Sequence, residues 1–184
     1  MRRRNSTSTS AQSLARASSV ALGILFGLAG CASFNPYTLV PGQATQQDVE
    51  ARMGRPAEIQ PGPNGQTICW YPQLPWSHVT YAARIGADGR LIAVEQRLTE
   101  GNINQIVRGQ STAKEVHDLL GPSYMPTRYE RMQRDIWTYP MRVPGHNLPK
   151  WFLVQMSYDG VVRETYLMDD PQFVPMDRGG GRSH

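Results

Sequence analysis

The chain has 184 residues and only two cysteines, Cys31 and Cys69. It therefore lacks the disulfide framework that staples many small secreted domains. After residue 30 there is no apolar run of the roughly twenty residues needed to cross a bilayer. His78, His117, His146 and His184 are scattered, with no paired His or Cys at the spacings a zinc site requires. They read as solvated or loop residues. There is no Gly-x-Ser-x-Gly elbow for a serine nucleophile and no glycine loop to cradle phosphate. Cys69 beside Trp70 sits in an apolar strand pattern, where cysteine usually serves as a small core residue. Asp169-Asp170, before Pro171, reads as the cap of a strand end rather than a calcium site. No enzyme, cofactor, metal or small-molecule substrate is expected.

Basic character is also missing where it would matter. Nineteen Lys and Arg stand against fifteen Asp and Glu. Arg2, Arg3, Arg4 and Arg16 all precede Cys31 and no acidic residue does, so the chain from Cys31 onward is neutral. Without a basic run there is no electrostatic footprint for a nucleic-acid backbone.

What the N-terminus does contain reads as an address. Arg2 to Arg4 form a positive start, and Val20 to Ala29 form an apolar run of roughly ten residues, too short to span a membrane. It ends in Leu28-Ala29-Gly30-Cys31, which resembles the bacterial lipobox. Leu28, Ala29 and Gly30 would be read by the signal peptidase, and the Cys31 thiol would take diacylglycerol. One acyl chain holds weakly; the lipoproteins this resembles carry three. Ala32 after the cysteine favours the outer membrane by the sorting rule of those proteins, with the body facing the periplasm.

The remainder repeats itself. Gly42-Gln43-Ala44-Thr45 matches Gly109-Gln110-Ser111-Thr112, Asp48-Val49 matches Glu115-Val116, Met53-Gly54 matches Leu120-Gly121, and Trp70 matches Trp137, all 67 residues apart. Asp88-Gly89 and Asp159-Gly160 match at 71, which implies a four-residue insertion in the second copy. Thr112 and Glu115 form a capping box and Thr45 and Asp48 a weaker one. Val116, Leu119 and Leu120 make one apolar stripe of a short helix, which Gly121-Pro122 ends as Gly54 and Pro56 end the first.

Strands are expected at Thr67 to Tyr71, Val79 to Ile85 and Leu91 to Leu98, and again at Asp135 to Tyr139, Trp151 to Tyr158 and Val161 to Met168. The Asp-Gly pairs supply hairpin turns. Each unit thus reads as one or two short helices on a three-stranded antiparallel meander, an α+β fold in two tandem units. The expected divisions are a signal peptide over 1–30, a lipidated tether over 31–38, units over 39–98 and 99–170, and a disordered tail over 171–184. The segment Thr99 to Val107 is expected to hold a short lead-in helix. Units of some sixty residues are marginal alone, so Trp70, Trp137 and Trp151 are expected in the core.

Gly-x-x-Thr-x-x-Glu-Val, a Leu-Gly stop, Trp-x-Tyr and a late Asp-Gly hairpin resemble the SmpA/OmlA (BamE-like) family of outer-membrane lipoproteins. Gly109 to Gly121, Asp135 to Tyr139 and Ser157 to Val162 carry the likeness, in two copies where the family's unit is single. That resemblance implies partners in outer-membrane β-barrel assembly or another envelope protein. The tandem arrangement more distantly resembles the β-lactamase inhibitor protein, a secreted binder of proteins, and so implies a periplasmic binder or inhibitor as the alternative. The connections Pro72 to His78 and Met141 to Lys150 are proline-rich, which lowers the entropy lost on docking. Trp76 and Leu148 within them are the candidate partner-binding residues; the competing reading has them fill the gap between units.

Overall fold

The computed structural model describes residues 34–174. Cys31, Leu28, Ala29 and Gly30, the expected signal peptide and the end of the expected tail lie outside the described residues. The fold is α+β, built from two tandem units, each with a helix on an antiparallel sheet.

The first unit runs α1 (Gln46–Met53), β1 (Glu58–Pro61), β2 (Thr67–Pro72), β3 (Thr80–Ile85) and β4 (Leu91–Gln96). The second runs α2 (Glu100–Ile103), α3 (Ala113–Leu120), β5 (Met125–Tyr129), β6 (Arg134–Met141), β7 (Lys150–Ser157) and β8 (Val162–Asp169). Both sheets are simple meanders, β1-β2-β3-β4 and β5-β6-β7-β8. The six expected strands are all present. Each sheet nevertheless has four strands where three were expected. The additional ones, Glu-Ile-Gln-Pro and Met-Pro-Thr-Arg-Tyr, are short edge strands broken by proline, which weakens the alternating pattern that marks a strand. The expected helix over Thr99 to Val107 is confined to the four residues of α2, capped by the Thr99 side chain.

Both capping boxes form. Asp48 N donates to Thr45 Oγ1 at 3.3 Å, and Thr45 N donates back to Asp48 Oδ2 at 2.8 Å. In the second unit Glu115 N reaches Thr112 Oγ1 at 3.3 Å and Thr112 N reaches Glu115 Oε2 at 2.7 Å. Two of the orphan donors at each helix start are thereby satisfied. Gly54 and Gly121 close the helices at φ +80° and +81°, a backbone region that a side chain strongly disfavours.

Each helix is sewn to its own sheet by the same backbone bonds. Leu91 N donates to Ala44 O, and Val162 N donates to Ser111 O, both at 2.8 Å. In the first unit Val49 and Met53 pack on Cys69, Tyr71, Ala83, Ile85 and Leu91. In the second, Val116 and Leu120 pack on Tyr139, Met141, Phe152, Val154, Met156 and Val162. Leu98 and Ile106, from the segment joining the units, complete this larger core.

The tryptophans are a correction to the sequence alignment. Thr67 pairs with Ile85 beside the first bulge, and Asp135 pairs with Met156 beside the second. The offset between β2 and β6 is therefore one residue longer than that between the helices, because the β5–β6 hairpin has gained one residue. Cys69, not Trp70, is the counterpart of Trp137, and Trp70 corresponds to Thr138. A slip of one residue sends a side chain to the opposite face. Trp137 points to its own helix, while Trp70 points away from α1. Trp70 is fully buried, but Trp137 and Trp151 are only partly so.

Two expected boundaries also shift. Within the segment read as tether, Pro36 is buried and Phe34 lies against the first core, while Tyr37 and Thr38 are exposed. At the other end Asp170 is buried and holds Gln172 N through its carboxylate at 2.9 Å, so the strand-end cap expected of it is present, followed by a turn over residues 171–173.

Candidate binding surface

The face of the first sheet that α1 leaves free carries Ile68, Trp70, Thr80, Ala82 and Arg84, and it receives the second unit. Gly121, at the end of α3, sits so close to Trp70 that an added Cβ would lie 2.5 Å from its ring. Arg97 donates to the carbonyls of Leu119 and Asp118 at the helix C-terminus, both at 3.0 Å, satisfying orphan carbonyls with a cation where the helix dipole favours one. Gln60 binds Asp118 at 3.0 Å and accepts from Trp70 Nε1 at 2.9 Å. His117 Nε2 lies 3.2 Å from Glu58 Oε2, with its ring edge-on to Trp70. The space left beside this joint is about 590 Å³. Its charged groups are spent on each other: Arg84 and Arg97 both reach Glu95, at 2.7 and 2.9 Å, and Lys114 reaches Asp118.

The corresponding face of the second sheet is different. Met125 and Tyr129 on β5, Ile136 on β6, Leu153 on β7, and Tyr166 and Met168 on β8 share it by register. Tyr166 is 51% exposed, and Met125, Tyr129 and Met168 are exposed too. Where the first sheet presents Glu95 and Arg97, this one presents Tyr166 and Met168, while Thr127 stands at the position of Gln60 and Arg134, Gln155 and Glu164 share the face. Large apolar and aromatic side chains thus lie exposed among polar ones on this face, and exposed apolar groups of that kind mark interaction sites when they are contiguous.

The connection Gln73 to Val79 is closed by Gln73 N donating to Val79 O and Ser77 N to Gln73 O, both at 2.9 Å. Leu74 packs against the second core. His78 is buried at φ +55°, with Nε2 3.7 Å from Asp170 Oδ2 and its ring 5.7 Å from that of Phe173. The expectation that His78 is solvated is therefore corrected: proline-fixed chain folds it inward. Between these two anchors Trp76 stands 84% exposed. Leu148 is half-buried, so the sequence-derived pair is not one patch of equal exposure. The gap between the units is filled by Trp70 and Gly121, not by Trp76.

Burial pushes the Cys69 thiol up, which favours its protonated form. Burial likewise raises the phenols of Tyr71 and Tyr139. The hydrogen bond with Tyr37, together with burial, pushes Tyr81 up to about 12. Among the described residues no three His, Cys, Asp or Glu are grouped to hold a metal ion, and no helix is long and apolar enough to cross a membrane.

No protein-family model matches the chain, and no curated protein sequence does. Among solved structures, a DUF4309 family protein (YjgB) from Bacillus subtilis is similar over 73% of this chain and 84% of that one, with 17% sequence identity and a TM-score of 0.29. Likeness at that level carries no argument about function.

Proposed function

We propose that the chain is an outer-membrane lipoprotein, held by acyl chains on Cys31 and facing the periplasm. Its body is a non-catalytic protein-binding module serving outer-membrane protein assembly or envelope integrity. One observation supports the binding role: Met125, Tyr129, Tyr166 and Met168 lie exposed on one face of β5 to β8, whose counterpart in the first unit receives the end of α3. Anchoring rests on the Leu28-Ala29-Gly30-Cys31 motif, and the assembly role on the SmpA/OmlA-like motifs from Gly109 to Val162. The photocrosslinking variant Tyr166→benzoylphenylalanine, expressed in cells and purified from detergent-solubilised envelopes, tests the binding role. Adducts with β-barrel assembly components are expected. Adducts with a soluble periplasmic enzyme would favour the inhibitor-like alternative, and no adduct would overturn the binding face. Mass spectrometry of the mature N-terminus tests the anchor, with Cys31→Ser expected to release the protein from membranes.

A further inference from the structure

One end of the first sheet gathers exposed aromatic side chains around the point where the chain enters the fold. Phe34 packs its ring 5.6 Å from Tyr81 and 6.4 Å from Tyr71. Three residues later Tyr37 projects into solvent, 85% exposed, with its hydroxyl 3.3 Å from that of Tyr81. Tyr81 is the second residue of β3. The connection that carries Trp76 leaves β2 at Pro72 and enters β3 at Thr80, so it caps the same end of the sheet. Phe173, whose ring lies tilted against His78 of that connection, adds a third exposed ring, with Val174 next to it.

Trp76 is also held outward rather than left loose. Two residues to either side, Leu74 packs against the second core and buried His78 lies beside Asp170 and Phe173. An exposed tryptophan that its own loop prevents from folding inward keeps its apolar surface for something outside the chain.

Chain length says what that is. Cys31 precedes Phe34 by three residues, which span at most about 10 Å even when fully extended. If acyl chains on the Cys31 sulfur lie in a bilayer, Phe34 is held close to the lipid surface, and the end of the sheet lies one ring contact further, 5.6 Å from Phe34 to Tyr81. Tryptophan and tyrosine favour this depth because the ring is apolar while its N–H or O–H stays wet.

The geometry points to a second bilayer contact, in which Tyr37, Trp76 and Phe173 rest in the headgroup region beside the lipidated cysteine. This rests on the anchoring proposed above. A lipid tether alone lets the body swivel; an aromatic contact away from the tether fixes its tilt.

The test uses the full lipidated protein reconstituted in phosphatidylethanolamine–phosphatidylglycerol vesicles whose acyl chains are brominated. Bromine quenches indole emission only at close range. The expected result is bromolipid quenching that Trp76→Ser abolishes, together with a blue-shifted Trp76 difference spectrum. Trp76 is exposed, so its replacement leaves both cores intact. Equal quenching in both proteins, or a Trp76 that remains fully open to aqueous iodide in vesicles, would overturn the contact. Photocrosslinking from position 76 to a protein instead of lipid would also overturn it. Mass spectrometry on the same sample separates the two failures: an acylated Cys31 without Trp76 quenching sinks this contact alone, and an unacylated Cys31 sinks the anchoring as well.

Discussion

The two units share a chain path but use their tryptophans on opposite sides of the sheet. In the first, Trp70 turns away from α1 and fills the joint with Gly121 of α3, while small Cys69 takes the position beneath α1. In the second, Trp137 faces its own helix and Thr138 takes the outward position. The difference follows from what each outer face meets. The first sheet must close against a helix end, so it needs bulk and polar partners there. The outer face of the second sheet buries Thr138 but leaves Met125, Tyr129, Tyr166 and Met168 exposed. The units are alike in topology and unlike in what they leave open.

Truncating the two indoles gives the sharpest contrast. Trp70→Ala removes a fully buried ring and strands the Gln60 carbonyl oxygen that accepts from it, a loss expected at about 3–5 kcal/mol. Trp137→Ala removes a ring only partly withdrawn from water, at about 1–2 kcal/mol. Urea unfolding of the two variants would measure the gap, and equal losses would mean that the joint between the units contributes little. The helix-ending glycines come next. Gly54→Ala and Gly121→Ala both force a side chain into a glycine region, at about 1–3 kcal/mol. Only at Gly121 does the new Cβ collide with Trp70 and Thr80, adding about 1–3 kcal/mol for overpacking. If the midpoints of these two variants coincided, the close approach of α3 to the first sheet would be refuted.

Much of this was legible before the structure. The capping boxes, Gly stops and Asp-Gly hairpins are local signals with local causes, and the helices and six strands formed where they were expected. The register between repeats was not, because a conspicuous tryptophan pair outweighed a quieter match. Tyr71-Pro72 and Tyr139-Pro140 carry the true alignment, one residue longer than that of the helices. The edge strands β1 and β5 were hidden because Pro61 and Pro126 spoil the alternation that identifies a strand. Of the candidate binding residues, Trp76 is exposed and Leu148 half-buried. The open face of β5 to β8 went unread for a different reason: whether a half-apolar strand is covered depends on the neighbour that packs on it, and no property of the strand itself reports that. Thus Tyr166 and Ile92 look equally suited to a core, and both are exposed.

The capping boxes should make the units look alike again. Thr45→Ala and Thr112→Ala each remove one hydroxyl acceptor from a helix start, and each is expected to cost about 1 kcal/mol. Hydrogen exchange of the first-turn amides in α1 and α3 would follow both. A much larger loss at Thr112 would show that the second helix depends on its cap for docking as well as for its start.

Acid gives the smallest effect and separates the units by mechanism. In the first, backbone and hydroxyl hydrogen bonds from Thr45 hold the Asp48 carboxyl below its ordinary 3.8. In the second, hydrogen bonds from the Arg128 guanidinium, and then its charge, lower Asp135, with N–O distances of 2.8 and 3.0 Å. A carboxyl whose folded pKa lies below its unfolded value binds fewer protons when folded. Its stabilisation is therefore present above about pH 4 and is lost as the pH falls through the lowered folded value. Asp48→Asn and Asp135→Asn should each flatten the acid limb of a urea-midpoint profile. Salt then tells them apart. The part of the Asp135 shift that comes from an exposed ion pair is screened at high ionic strength, whereas a bond from a helix-start amide is not. Raising salt should shrink the contribution removed by Asp135→Asn and leave that removed by Asp48→Asn in place. An equal response in both would mean that Arg128 does not hold Asp135 in solution.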